Sequence, residues 1–324
     1  MENGWKKFLL KSGLPFEYEV KECFAKSDCT VWDEYYYLKE DENNVEKEFS
    51  YDLDANTWRD GCSIDFMVEC KYKTEPTKWF FTPDPYAYQQ EVNRNSFLHP
   101  MDHFTKQKFL FNNPPFDKVV EEPLGPFCLK GIEILKNDGV EVNITRAISQ
   151  LSYAFVDKII SAMDSQLNIE SFFETVFLHV PIIITNAELH LLKTNVTTKE
   201  IEDSKSIEEI STKHNFLFYN NKPGGHLHDY NRSKLVGFFA SQDQEKIKTR
   251  INSFTTDLNH LVEVISTNYC PSVICIMHHD ELHQNYKTLF DYIDFLTFHT
   301  ESLQQRIKQV KADADQKFRE FGEI

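Results

Sequence analysis

The run Phe177 to Thr185 (FLHVPIIIT) is continuously apolar and bounded by polar residues, so as a strand it has no face to offer to water. Such a segment is expected at the centre of a sheet covered on both sides. Ser272 to Met277 (SVICIM) is a second buried strand of this kind. Around them the apolar spacing turns helical: Ala147, Leu151, Ala154, Phe155, Ile159 and Ala162 recur at three and four within Ile144 to Met163, and Asp243 to Ser266 and Tyr286 to Leu296 read likewise. Strands that alternate with helices predict a mixed α/β sheet.

The N-terminal third adds a compact pattern. Leu10 to Ala25 reads as a helix, punctuated by Gly13 and Pro15, with Phe16, Val20 and Phe24 on one stripe. Val31 to Lys39 and Phe49 to Ala55 form a hairpin across the polar turn Glu40 to Asn44; a further turn over Asn56 to Gly61 leads into a strand over Ser63 to Lys73. Thr74 to Pro126, rich in aromatic residues and proline, is an insertion suited to a lid or a substrate groove. Short strands are expected over Glu188 to Leu192 and Asn215 to Asn220, and a surface helix over Thr197 to Ser211. Residues 1–296 are expected to form one elaborated domain with its insertion at about 74–126. Residues 297–324, with Leu303, Ile307, Val310, Ala314 and Phe318 at helical spacing, are expected to form a C-terminal helix for docking or oligomerisation.

The strand over Ser63 to Lys73 carries a charge pair that a core does not require. Glu69 and Lys71 share one face, while Val68, Cys70 and Tyr72 take the other. Desolvating a carboxylate and an ammonium together is costly, which points to chemistry rather than to stability. Asp52 and Asp54 repeat the spacing on the preceding strand, with Leu53 and Ala55 facing away. If the two strands are neighbours, Asp54 and Glu69 converge on a divalent cation with Lys71 beside it, and two carboxylates with a substrate phosphate suffice for Mg²⁺. Only one of the two aspartates is needed, and Asp52 is assigned to solubility or support.

Asp54, then Glu69-x-Lys71, preceded by an acidic helix, resembles the PD-(D/E)xK nuclease superfamily with its restriction-endonuclease-like fold. Ser12-Gly13-Leu14-Pro15-Phe16-Glu17 is similar to the start of that superfamily's first core helix, Asp52-Leu53-Asp54-Ala55 to its Asp-bearing strand, and Val68-Glu69-Cys70-Lys71 to its Val-Glu-Cys-Lys strand. The resemblance covers the first half of the chain. It implies that Asp54 and Glu69 are catalytic metal ligands for Mg²⁺ or Mn²⁺, that Lys71 is the catalytic lysine, that Glu17 is an accessory metal ligand, and that Gln150 is a catalytic-site residue on the next helix. The implied activity is an endonuclease acting on DNA ahead of RNA, in a setting such as prokaryotic antiviral defence. The competing expectation is a catalytically silent binding or scaffold subunit that keeps the fold.

Charge and cysteine usage narrow the setting. With 51 acidic against 35 basic residues the formal net charge is -16, so no overall field attracts nucleic acid or anionic membrane, and a phosphate-bearing substrate must be met locally or through an oligomer or partner. Seven cysteines without a Cys-x-x-Cys pair indicate neither a disulfide framework nor structural zinc, and a reduced cytoplasmic setting is expected. No apolar run approaches the roughly 20 residues of a membrane span. His226, His228, His278, His279 and His283 offer a zinc-dependent hydrolase as a third reading, although polar loop histidines are the plainer one. Trp79-Phe80-Phe81 with Tyr86 and Tyr88 is read as core ahead of a base-stacking platform.

Overall fold

The computed structural model describes residues 4–40, 45–59, 61–74, 76–84, 97–106, 124–135, 138–140 and 142–297. Two helices open the chain, α1 (Gly4–Lys11) and α2 (Leu14–Ala25), followed by β1 (Thr30–Trp32), β2 (Tyr35–Glu40), β3 (Glu46–Tyr51), β4 (Leu53–Arg59) and β5 (Cys62–Lys71). The middle of the chain supplies β6 (Thr77–Pro83), β7 (His99–Met101), β8 (Phe127–Leu135), β9 (Asp138–Val140), the long α3 (Val142–Asn168), β10 (Val176–Thr185) and β11 (Glu188–Leu192). Then come α4 (Thr198–Asp203), α5 (Ile207–Ile210), β12 (Ser211–His214), β13 (Phe216–Asn220), α6 (Gly225–Ser241), α7 (Gln244–Arg250), α8 (Leu258–Asn268), β14 (Val273–His278) and α9 (Gln284–Thr297). The docking helix expected over 297–324 lies outside the described residues from 298 onward.

Twelve strands form one mixed sheet in the order β1-β4-β5-β10-β14-β13-β8-β6-β11-β12, with β7 beside the first half of β10 and β9 on β8. The apolar run over Phe177 to Thr185 is its centre: every residue of β10 is buried, and β10 runs parallel to β5 through ten successive rungs, Val176↔Cys62 to Thr185↔Lys71. Both faces are covered, as that composition requires. On one, Val20 and Phe24 of α2 and Phe290 and Ile293 of α9 pack on Phe66, Val68 and Ile182; on the other, Leu151, Phe155 and Ile159 of α3, with Leu235 of α6 and Ile265 of α8, cover Met67 and Ile183. Each such aliphatic or aromatic side chain contributes about 1.5–3 kcal/mol through burial. Among the described residues no helix is long and apolar enough to cross a membrane.

Three departures from the sequence reading have local causes. Gly13, at φ 83°, breaks the expected helix over Leu10 to Ala25 into α1 and α2, with Pro15 in the first turn of the second. The expected helix over Asp243 to Ser266 is two, each begun by an aspartate cap: Asp243 accepts from the N–H groups of Glu245 and Lys246, and Asp257 from that of Asn259. Between them the backbone N–H of Asn252 donates to the carbonyl of His103 at 2.8 Å, which ties the break to the loop after β7. The third is the segment Phe49 to Ala55, which is not one strand. β3 pairs only with β2 in a separate two-stranded sheet, whereas β4 belongs to the main sheet, and Asp52 is the residue at which the chain passes from one to the other.

Candidate functional site

The antiparallel ladder of β4 and β5 closes at Arg59↔Cys62 and runs back to Leu53↔Val68. One position further stand Asp52 and Glu69. Leu53, Ala55, Phe66 and Val68 all enter the core on the α2 side, so by alternation Asp52 and Glu69 project to the α3 side, where Met67 also packs. The backbone N–H of Cys70 donates to Asp52 Oδ2 at 2.6 Å and fixes that carboxylate across the strands. Lys71 Nζ forms an ion pair with Glu69 Oε1 and keeps part of its side chain open to solvent, while Glu69 itself is 0% exposed. Glu69 Oε2 is buried without a hydrogen-bond partner. A buried carboxylate oxygen left in this way costs free energy that a ligand would recover.

The local field agrees with this geometry. Burial first, and then the nearby Asp52 charge, raise the Glu69 pKa to about 8, with Lys71 and Arg146 offsetting only part of the rise. Asp52 is also raised, by burial first, against the lowering influence of Lys71 and of the Cys70 N–H. Glu17 on α2 is raised by burial and then by Asp52 and Glu34, with Lys71 opposing. Four groups, Glu17, Asp52, Glu69 and Lys71, therefore share one electrostatic neighbourhood. The exposed Arg146, on α3, acts on the two strand carboxylates.

The aspartate beside Glu69 is Asp52, and the assignment of that position to Asp54 is corrected. Asp54 pairs in register with Met67, accepts from Tyr51 Oη at 2.6 Å and forms an ion pair with Lys158 at 3.0 Å. The two aspartates share a face, but they stand two residues apart along the strand, and α3 supplies a lysine only to the further one. Gln150 is on the α3 side of this region, where its Nε2 donates to the Ser50 carbonyl at 2.9 Å. It anchors the backbone two residues before Asp52, and its buried Oε1 has no partner. Glu17 is held close to the left-handed Gly13, where an added Cβ would stand 3.0 Å from Glu17 Oε1. Arg146 and Glu34 carried no sequence signal, because only the packing of α3 and the position of β2 bring them near.

His279 and His283 meet edge-on at 6.2 Å between ring centroids, but each is engaged by another side chain. His283 Nδ1 contacts Cys23 Sγ at 3.2 Å, His279 Nδ1 contacts the Tyr286 hydroxyl at 2.8 Å, and His228 Nε2 lies 3.3 Å from Glu263. All seven cysteines are buried, and none is in a disulfide. Trp79 and Phe81 are core residues, and the Trp79 indole donates to the buried Glu133, which also holds Lys73 and Asn143. Tyr86 and Tyr88 lie outside the described residues.

Among the described residues no three His, Cys, Asp or Glu side chains are grouped closely enough to hold a metal ion. The available donor set is a pair, Asp52 and Glu69, with Glu17 on the adjoining helix. Two hard carboxylate oxygens, one of them buried and unpartnered, fit a Mg²⁺-type ion that keeps waters and takes a substrate phosphate. No protein-family model matches the chain, and neither a curated protein nor a solved structure matches it.

Proposed function

We propose that the chain is a divalent-metal-dependent nuclease with a restriction-endonuclease-like core, hydrolysing phosphodiester bonds, with DNA as the substrate. One observation carries the reading: across β4 and β5, Asp52 meets a fully buried Glu69 whose Oε2 is unpartnered and whose Oε1 holds Lys71. In most buried ion pairs both carboxylate oxygens find partners.

In this mechanism Asp52 and Glu69 would hold Mg²⁺ or Mn²⁺. When bound, the ion supplies positive charge at the phosphoryl oxygens and acidifies water. Cys70 N–H restrains Asp52 through Oδ2, which leaves Oδ1 for a ligand. Glu69, with its pKa near 8, would have to be deprotonated to serve as a ligand. Lys71, neutralising Oε1 and reaching toward solvent, orients the attacking water and stabilises charge on the phosphate. Arg146, exposed beside the pair, binds a flanking phosphate oxygen. Glu17 supports the site from α2.

The test is cleavage of plasmid and linear DNA with Mg²⁺ or Mn²⁺ by wild type, Lys71→Ala and Asp52→Asn. Cutting by wild type that both substitutions reduce at least about 100-fold supports the reading. A wild type that binds divalent ions at Asp52 and Glu69 yet cuts neither DNA nor RNA would be a silent binding subunit instead.

A further inference from the structure

In the two-stranded sheet the rungs Tyr35↔Tyr51, Tyr37↔Phe49 and Lys39↔Lys47 share the face turned to α3. The first two rungs pack there as aromatic pairs. The third sets ammonium against ammonium, although a carboxylate opposite Lys39 would have been the stabilising choice. Glu40, Glu46 and Glu48 alternate to the other face of the hairpin. Lys39 is half-buried, with its Nζ 3.5 Å from the ring centroid of Tyr153 on α3. Burial lowers its pKa, and no carboxylate among the described residues forms an ion pair with it. Asp157, one turn after Tyr153 on α3, is held by Lys234 at 3.3 Å.

The seam between the hairpin and α3 runs from Lys39 to the carboxylate pair. Tyr37, one inward position back along β2 and so about 7 Å from Lys39, borders Glu69: burial and then the Glu69 charge raise its hydroxyl pKa. On α3, Arg146, Gln150 and Tyr153 fall on one stripe at i, i+4 and i+7, about 10 Å from first to last. Arg146 acts on Asp52 and Glu69, Gln150 holds Ser50, and Tyr153 lies under Lys39.

We propose that Lys39 binds a phosphate of the substrate strand next to the scissile one, and thereby directs the strand away from Lys71 and Arg146 along the seam between the hairpin and α3. The substrate rests on the nuclease reading; the choice of Lys39 rests on a half-buried cation that faces a lysine and has no carboxylate. In a chain of net charge -16, a phosphate at this place would offset both the desolvation of Lys39 and its repulsion from Lys47.

The test is fluorescence anisotropy of a labelled duplex DNA in EDTA, so that binding is read without cleavage, alongside steady-state cleavage with Mg²⁺. Lys39→Gln is expected to weaken binding about five- to tenfold and to flatten the slope of log affinity against log salt by about 0.9. KM should rise by a similar factor, with a smaller effect on kcat, and Lys39→Arg should restore all three. Circular dichroism and urea denaturation control for folding. Unchanged binding and slope in Lys39→Gln overturn the proposal. A fall in kcat alone, or a loss of stability with the salt slope intact, also overturns it and leaves Lys39 as support for Tyr153. Inorganic phosphate that binds through Lys39 without competing with the DNA overturns it in favour of a free-anion site. The two readings fail separately: a wild type that binds DNA through Lys39 but cuts nothing loses the nuclease and keeps the phosphate contact. A wild type that cuts, with Lys39→Gln unchanged in KM and salt slope, keeps the nuclease and loses the contact.

Discussion

Asp52 stands across from Glu69 one position beyond the Leu53↔Val68 rung, and the Cys70 N–H holds it there through Oδ2. Its neighbour along the strand, Asp54, is instead engaged by Lys158 and Tyr51. The two aspartates therefore give opposite phenotypes on substitution.

Asp52→Asn is expected to lower divalent-ion affinity by at least about tenfold, with little loss of stability, since it removes one of two charged donors. Asp54→Asn is expected to leave ion affinity nearly unchanged and to destabilise the fold by about 1–3 kcal/mol by unpairing Lys158 and weakening the Tyr51 hydrogen bond. Calorimetric titration with Mn²⁺ and urea denaturation of both variants measure this. Equal ion affinities for Asp52→Asn and wild type would sink the assignment.

Ion binding at Glu69 depends on pH in a defined direction. With a pKa near 8, Glu69 is largely protonated at pH 6–7, and a cation must displace that proton. Affinity is expected to climb about tenfold per pH unit below pH 8 and then level off, where an ordinary carboxylate would have levelled near pH 5. Titrations between pH 6 and 9 read the slope directly.

The same burial makes Glu69 a cost to the apo fold. Its pKa is raised in the folded chain from 4.5 to about 8, so the native state holds more protons across that window and stability falls as pH rises through it. Glu69→Gln is expected to be more stable than wild type at pH 8, with the gap closing toward pH 4.5. A variant that is less stable than wild type at pH 8 contradicts this. Added Mg²⁺ should raise the melting temperature of wild type and not of Glu69→Gln.

Gly13 is constrained twice, by its left-handed backbone at φ 83° and by the approach of Glu17 Oε1 to where a Cβ would be. Gly13→Ala is expected to cost about 1–2 kcal/mol in stability and to displace Glu17. Gly13→Asn, which tolerates the left-handed region better, recovers part of the stability and none of the Glu17 position. Comparing the two by denaturation and ion titration separates strain from displacement.

The central strand was legible in the sequence because β10 has to be covered on both faces, and the Glu69–Lys71 pair because nothing in a core calls for it. The choice between Asp52 and Asp54 required the register. The dipeptide Asp60-Gly61 is a strong two-residue hairpin signal that sets Arg59 opposite Cys62, and hence Asp52 opposite Glu69; a turn drawn as wide as Asn56 to Gly61 hides that register. Residues such as Arg146 and Lys158 are spaced as ordinary helix positions, and only the packing of α3 across the sheet decides which carboxylate each one meets. The helix α6 was missed because polar residues crowd it, and its buried Leu227, Leu235 and Phe238 make a weak stripe.

The ten-rung pairing of β5 with β10 also sets an order of events in synthesis. Glu69 is covered by Ile183 and its neighbours and by α3, all of which emerge from the ribosome long after β5 itself. Until they arrive, the nascent hairpin of β4 and β5 presents Glu69 to water as an ordinary surface acid, charged at cellular pH and without special appetite for a cation. The unusual chemistry of that side chain is thus withheld from the growing chain and appears only when the sheet closes over it.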